Sequence, residues 1–277
     1  MAEVATETLA PAAPRLAVRR IAIVPAFNEE ESVPAVIEEI RAFDRDFAVV
    51  VVDDGSTDGT AAAATGLGAH VVRLPFNLGI GGAVQTGFRY AFEHGFELAV
   101  RVDGDGQHDP AQLGLLLGPI LADEADIVVG SRFAPVDAEG GHGVRPGGAG
   151  FAGDASSPDG GYRSSRSRRI GISILAKTLS MIVHRRVTDP TSGFQALNRK
   201  AIALFAADYP HDYPEVEAAL MVHKHELRMT EVPVQMRERA AGQSSIGALA
   251  SVYYMVKVLL AIVVAMFRRN VVPVEER

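Results

Sequence analysis

Val49-Val50-Val51-Val52 runs directly into Asp53-Asp54-Gly55-Ser56-Thr57-Asp58-Gly59, and about fifty residues later Ala99-Val100-Arg101-Val102 runs into Asp103-Gly104-Asp105-Gly106-Gln107-His108. Each piece reads as an apolar strand ending in paired carboxylates. In a parallel α/β sheet, ligands bind outside the carboxyl ends of strands, so two acidic strand ends open onto one cleft. Asp103 and Asp105 are one residue apart, and both can reach a cation outside the sheet edge, with Gln107 as a further oxygen donor. Mg2+ or Mn2+, hard cations, take such ligands and would bridge a diphosphate. The chemistry that fits is a sugar nucleotide held by carboxylates and a metal, with the cation stabilising a nucleoside diphosphate as it leaves.

The other phosphate-binding devices are missing. The first strand runs into Pro25-Ala26-Phe27-Asn28-Glu29-Glu30, where a dinucleotide fold needs G-x-G-x-x-G to admit pyrophosphate to a helix N-terminus. A G-x-x-x-x-G-K-[ST] loop is absent as well, which removes the common ATPase and GTPase classes. The glycine-rich Asn77-Leu78-Gly79-Ile80-Gly81-Gly82 precedes a helix and serves either tight turning or contact with substrate. The chain has no cysteine, so disulfides, thiolate metal sites and a cysteine nucleophile are excluded. A net charge of -7 argues against nucleic acid as a partner. Against that balance, residues 162–187 hold six arginines and Lys177 with no Asp or Glu, a stretch suited to phosphates, an anionic membrane surface or plain solvation.

These residues need a scaffold, and 277 residues at 48% hydrophobic content can bury one large core. From Arg20 onward short apolar runs alternate with helical patterns, which predicts a parallel, doubly wound α/β sheet. Strands are expected at 21–25, 48–52, 70–74, 98–102, 126–130 and 229–236. Helices are expected at 30–43, 81–94, from Pro110 onward, 170–183 and 213–224, with a loop at 188–195. Residues 1–19 read as a disordered tail, and 137–161, rich in Gly, Ser, Pro and Asp, as a flexible loop too long for an ordinary connection. The nineteen residues 249–267 carry one charge, Lys257, and are followed by Arg268 and Arg269. At about 1.5 Å per residue they just match a hydrocarbon layer of roughly 30 Å, but the central lysine favours a helix lying in the interface. A buried core or dimer helix is the plainer alternative.

The blocks IVPAFNEEESV, VVVVDDGSTDGT, NLGIGGAVQTGF, RVDGDGQHDP, VVGSRF, DPTSGFQALNRKAI and EVPVQMRERAAGQSSI, in that order, resemble family 2 glycosyltransferases of the GT-A fold. The resemblance is to the branch of dolichyl-phosphate mannose synthase and related polyprenyl-phosphate glycosyltransferases. It implies a GT-A domain over 20–246, a membrane-associating helix over 247–269 and a tail at 270–277. It also implies inverting transfer from a UDP- or GDP-linked sugar to polyprenyl phosphate at the cytoplasmic face of the membrane. By the same resemblance Pro25, Ala26, Asn28 and Glu29 surround the nucleoside, and Asp53 and Asp54 contact the base or ribose. Gly79 touches the donor, while Asp103, Asp105 and Gln107 form the metal and diphosphate site. Arg132 lies near the donor phosphates, Arg237, Arg239 and Ser244 form a loop that closes over the pyrophosphate, and Glu217 matches a family acidic residue.

A phosphate acceptor is ionised at neutral pH and needs positioning and charge neutralisation more than a strong base. A saccharide hydroxyl, the alternative acceptor, would need one, with Glu217 or Asp189 as candidates. Mannose synthases carry Gly-x-Ser-Lys in the last loop, whereas this chain has Gly242-Gln243-Ser244-Ser245, which leaves donor and acceptor identity open. A degenerate enzyme acting as a nucleotide-sugar-binding scaffold is a third reading, and homo-oligomerisation also stays open.

Overall fold

A computed structural model describes residues 18–135, 166–211, 213–237, 257–258 and 260–264. The expectations for 1–17, for the 137–161 loop, for Arg239 and Ser244, and for most of 247–277 fall outside these residues.

Seven strands form one sheet: β1 (Arg20–Ala26), β2 (Ala48–Asp53), β3 (His70–Arg73), β4 (Leu98–Arg101), β5 (Ile127–Ser131), β6 (Gln195–Asn198) and β7 (Met229–Pro233), in the order β3-β2-β1-β4-β6-β5-β7. Between them lie α1 (Val33–Phe43), α2 (Thr60–Gly66), α3 (Gly79–Glu93), α4 (Leu113–Leu121, after a 3-10 turn at Pro110–Gln112), α5 (Arg166–Val183), α6 (Arg199–Ala207) and α7 (Pro214–Lys224). The central strands are apolar on both sides because both faces are covered. Ala22, Val24, Val49 and Val51 pack with α1 and α4, while Ile21, Ile23, Val50 and Ala99 pack with α3, α6 and α7.

The mostly parallel α/β architecture agrees with the sequence reading, but its boundaries and one strand do not. The first helix starts at Val33 instead of residue 30, because Asn28 takes φ +54° and the amides of Ser32 and Val33 both fold back onto the Glu29 carbonyl. The third helix begins two residues early at Gly79, and α5 begins at Arg166 instead of 170. Strand β7 ends at Pro233 instead of 236; Met236 instead forms an antiparallel bridge with His108. Neither β6 nor α6 was expected, and β6 runs antiparallel to both β4 and β5. The segment before it is tied to the carboxyl edge of the sheet, where the Gly130 amide donates to the Phe194 carbonyl. A strand entering from that edge can only run back against its neighbours. Four residues, Gln-Ala-Leu-Asn, are also too few to display a period.

At the opposite edge Asp126 gathers the starts of β5 and β7 and the end of β6. It accepts from Asn198 Nδ2 at 2.7 Å and from the Arg228 backbone N–H, Nε and Nη2 at 2.8, 3.1 and 3.0 Å. Burial alone would raise its carboxyl, but the Arg228 and Asn198 hydrogen bonds outweigh it and hold it at about 2.

A third cluster joins Leu175, Leu179 and Val183 of α5 to Val216 and Leu220 of α7 and to Val258 and Ile262. The described residues among 257–264 are helical, with Val258 and Ile262 buried while Leu260, Val263 and Val264 are exposed. No helix among the described residues is long and apolar enough to cross a membrane.

Candidate active site

Strands β1 and β4 pair in parallel, and the chain continues outward from each in opposite directions, so the crevice at their carboxyl ends is the topological switch point of the sheet. Both acidic strand ends border it.

On the β1–β2 side, backbone and side chains stitch three loops together. Ala26 lies beside Asp53 in register, and its carbonyl accepts from the Asp54 N–H at 2.9 Å. Asn28, in the left-handed conformation, receives the Thr57 N–H on Oδ1 and donates its own N–H to Ser56 Oγ, each at 2.9 Å. The Glu29 N–H reaches Thr60 Oγ1 at 2.8 Å, and Glu30 accepts the Gly59 N–H at 2.6 Å. The two acids of this strand end diverge. Asp53, fully buried, caps the turn through the Ser56 N–H, and its Oδ2, 3.3 Å from Arg73 Nε, has no hydrogen-bond partner. Asp54 points the other way and accepts the Leu78 N–H at 2.7 Å, which fastens the start of α3 at Gly79. Burial raises the Asp54 carboxyl, against the pull of the Leu78 and Gly79 amides. Asp53 thus caps its own turn and pairs with Arg73, whereas Asp54 is placed to hold the loop.

Strand β4 delivers the other acids. The Pro25 carbonyl accepts the Gly104 N–H at 3.2 Å, which sets the Asp103-Gly104-Asp105 turn directly on the end of β1. A side chain at Gly104 would meet the Glu29 carboxylate, which would have to move aside, and would crowd the Pro25 carbonyl. Asp105 Oδ1 accepts the Gln107 N–H at 3.0 Å. Asp103 is more heavily engaged. Its Oδ1 takes Arg101 Nε at 3.0 Å, and its backbone N–H donates to His108 Nδ1 at 3.0 Å. That bond leaves the His108 proton on Nε2, and burial lowers the imidazole's pKa, so the ring is neutral and stacks on Phe194 at 4.8 Å. Among the described residues no three His, Asp or Glu side chains converge on a cation position. The set of two carboxylates and an amide is nevertheless what a hard cation accepts when phosphate oxygens complete its shell.

Beyond β5, Arg132 donates to Asp189 through Nε and Nη2, both at 2.7 Å, and through its backbone N–H at 3.1 Å, and Nη2 also reaches Thr191 Oγ1. Asp189 further accepts from the Thr191 N–H and Oγ1 and is fully buried, so it orients Arg132 and is poorly placed to act as a base. Glu231 of β7 fixes the same loop by accepting the backbone N–H groups of Thr188 and Asp189 and the Thr188 hydroxyl. The Arg237 N–H donates to the Gln107 carbonyl at 2.9 Å, but its guanidinium turns to Glu39 and Asp109. Those half-exposed ion pairs are worth about 0–1 kcal/mol each. On α7 Glu215 is bound to Arg101 Nη1 at 2.8 Å; Glu217 is two residues on, roughly 200° around the helix at about 100° per residue. Arg101, His108 and Glu215 had no place in the sequence reading. The available signal was a single arginine inside the otherwise apolar β4.

A mostly parallel seven-strand sheet flanked by helices, with acids at its switch point, has the GT-A architecture of glycosyltransferases. The chain belongs to glycosyl transferase family 2, whose model matches residues 21–202. It is 31% identical to the undecaprenyl-phosphate mannosyltransferase of Micrococcus luteus over 82% of this chain and 86% of that protein. It is 29% identical to the polyprenol monophosphomannose synthase of Mycolicibacterium smegmatis over 84% and 83%. In fold it is similar to the glucosyl-3-phosphoglycerate synthase of Mycobacterium tuberculosis, crystallised with Mn2+, UDP and phosphoglyceric acid, with a TM-score of 0.64 at 19% identity over 92% of this chain and 81% of that one.

Proposed function

We propose that this glycosyltransferase is inverting and metal-dependent and moves a sugar from a UDP- or GDP-linked donor to polyprenyl phosphate. The observation that carries this reading is the Asp103-Gly104-Asp105 turn seated on the end of β1, with the Asn28–Glu29 loop on one side of it and Gln107 joined to Arg237 on the other. The names of the two relatives, a polyprenol monophosphomannose synthase and an undecaprenyl-phosphate mannosyltransferase, support the acceptor class. Asp103, Asp105 and Gln107 would hold Mg2+ or Mn2+, which supplies positive charge for the departing nucleoside diphosphate. Asp53 receives the nucleoside, and Arg132, locked by Asp189, offers a preorganised guanidinium for phosphate. A phosphate acceptor arrives ionised and requires no base, which agrees with Asp189 being committed to Arg132.

Residues 20–246 form the catalytic unit in this reading, and the protein works at the cytoplasmic face of the membrane. Leu260, Val263 and Val264, and Ile174 and Met181 on α5, are exposed, as are Lys177, Arg185 and Arg186 on or just after α5, and such residues suit an anionic interface.

The test is transfer of label from radiolabelled UDP- and GDP-sugars, with Mg2+ or Mn2+, into the organic phase of a membrane lipid extract. Label in the organic phase that disappears in Asp105→Ala supports the proposal. Label confined to water-soluble saccharide would transfer the assignment to a hydroxyl acceptor.

A further inference from the structure

Arg101 is the largest of the fully buried side chains, on a strand where every other residue is apolar. An arginine there is unfavourable unless its charge is met, and it is met from two directions. Nε donates to Asp103 Oδ1 at 3.0 Å and Nη1 to Glu215 Oε1 at 2.8 Å, across 114 residues of sequence. Burial by itself would lower the guanidinium's pKa; the two carboxylates outweigh it and keep it protonated. The housing is tight. A Cβ at Gly193 would stand 2.6 Å from Arg101 Nη2, and Tyr209, packed edge-on against Phe88 and Phe205, lies beside the same group. A rigid fork therefore connects the first turn of α7 to the first aspartate of the donor turn.

The charges explain why both partners are needed. A guanidinium bonded to Asp103 alone would orient that carboxylate but cancel its charge, weakening any cation beside it. Glu215 returns the missing negative charge from the far side of the fork. We propose that Glu215 is a positioning residue for the donor site: through Arg101 it keeps Asp103 both oriented and electrostatically negative, so the first turn of α7 sets the cation affinity of a turn on β4. This rests on the metal-dependent reading above.

The experiment is Mn2+ titration of the full chain by electron paramagnetic resonance in the presence of UDP and, in parallel, GDP, with thermal melting as a check on folding. Removing one unit charge about 10 Å from a divalent cation at an effective dielectric of about 40 predicts that Glu215→Gln raises the half-saturating Mn2+ concentration about fifteenfold or more. Glu215→Asp, which keeps the charge, stays within about twofold of wild type by the same relation. The charge-balanced pair Arg101→Met with Glu215→Met removes both buried ions together, which proteins often tolerate. It should return Mn2+ binding to within about threefold of wild type on the same electrostatic grounds, while turnover stays low because Asp103 has lost its anchor. Half-saturation unchanged in Glu215→Gln, or the double variant binding Mn2+ as weakly as Glu215→Gln, overturns the inference and leaves the transferase reading intact. Should Glu215→Gln not fold, half-saturation in the double variant raised by more than about threefold over wild type overturns the inference, and a value within that range supports it. Wild-type protein that takes up no Mn2+ with either nucleotide overturns the metal reading and this inference with it.

Discussion

Asp189 shows how a residue's neighbours decide its role. As the carboxylate that opens the block DPTSGFQALNRKAI it was a candidate base, but five donors of Arg132 and Thr191 converge on it where it is buried. An acid so surrounded holds its partner in place. Breaking a buried pair by removing one charge typically costs about 3–5 kcal/mol, so Asp189→Asn should lower the urea midpoint correspondingly and reduce turnover through a misplaced Arg132. A variant with wild-type stability and rate would show that Arg132 does not depend on it. Asp103 and Asp105 were legible in the sequence from type and spacing, since D-x-D after an apolar run requires no long-range information. Arg101 and Glu215 were not, because a contact spanning 114 positions leaves no local pattern.

Elements carry the second tier of control. The loop 188–192 is held by β5 through Ser131 and by β7 through Glu231, so the end of one strand and a side chain of another fix where Arg132 points. At the other edge of the sheet, Asp126 ties β5, β6 and β7 together. Its folded pKa, about 2, lies below the unfolded value of about 3.9. Its contribution is therefore fully present above about pH 4 and is lost as pH falls through about 2. In Asp126→Asn the hydrogen bonds to a charged partner weaken, which should cost about 1.5–3 kcal/mol at neutral pH and flatten the stability profile between about pH 4 and 2. Chemical denaturation across that pH range checks both; an unchanged slope would place the acid sensitivity elsewhere.

For the molecule as a whole, α7 joins two systems. One face contributes Glu215 to the donor turn, and its Val216 and Leu220 pack with α5 and with Val258 and Ile262. The apolar segment 249–267 is thus divided among its described residues: Val258 and Ile262 belong to the chain's own core, while Leu260, Val263 and Val264 face outward. Deleting the segment would confuse membrane release with loss of packing. Replacing Leu260, Val263 and Val264 together by serine should leave the melting temperature nearly unchanged, since single exposed positions are worth within about 0.5 kcal/mol. Sedimentation with anionic vesicles should fall sharply, because the apolar area available to the interface is removed. Equal vesicle binding by this variant and wild type would rule out that face as the contact.

The sequence by itself determined the alternation of strands and helices, the strand ends that bear acids and the lack of the G-x-G-x-x-G and G-x-x-x-x-G-K-[ST] motifs. Those properties are local: hydrophobic period, turn residues and spacing within a few positions. Tertiary structure alone decided the antiparallel β6, the division of Asp53 and Asp54 between a buried turn cap paired with Arg73 and a loop clasp, and the commitment of Asp189 to Arg132. It also decided that α7 offers Glu215 to Arg101. Each of these depends on which distant groups share a buried volume, and the energy that selects among them, the desolvation of charge without a partner, exists only once the chain has closed around it.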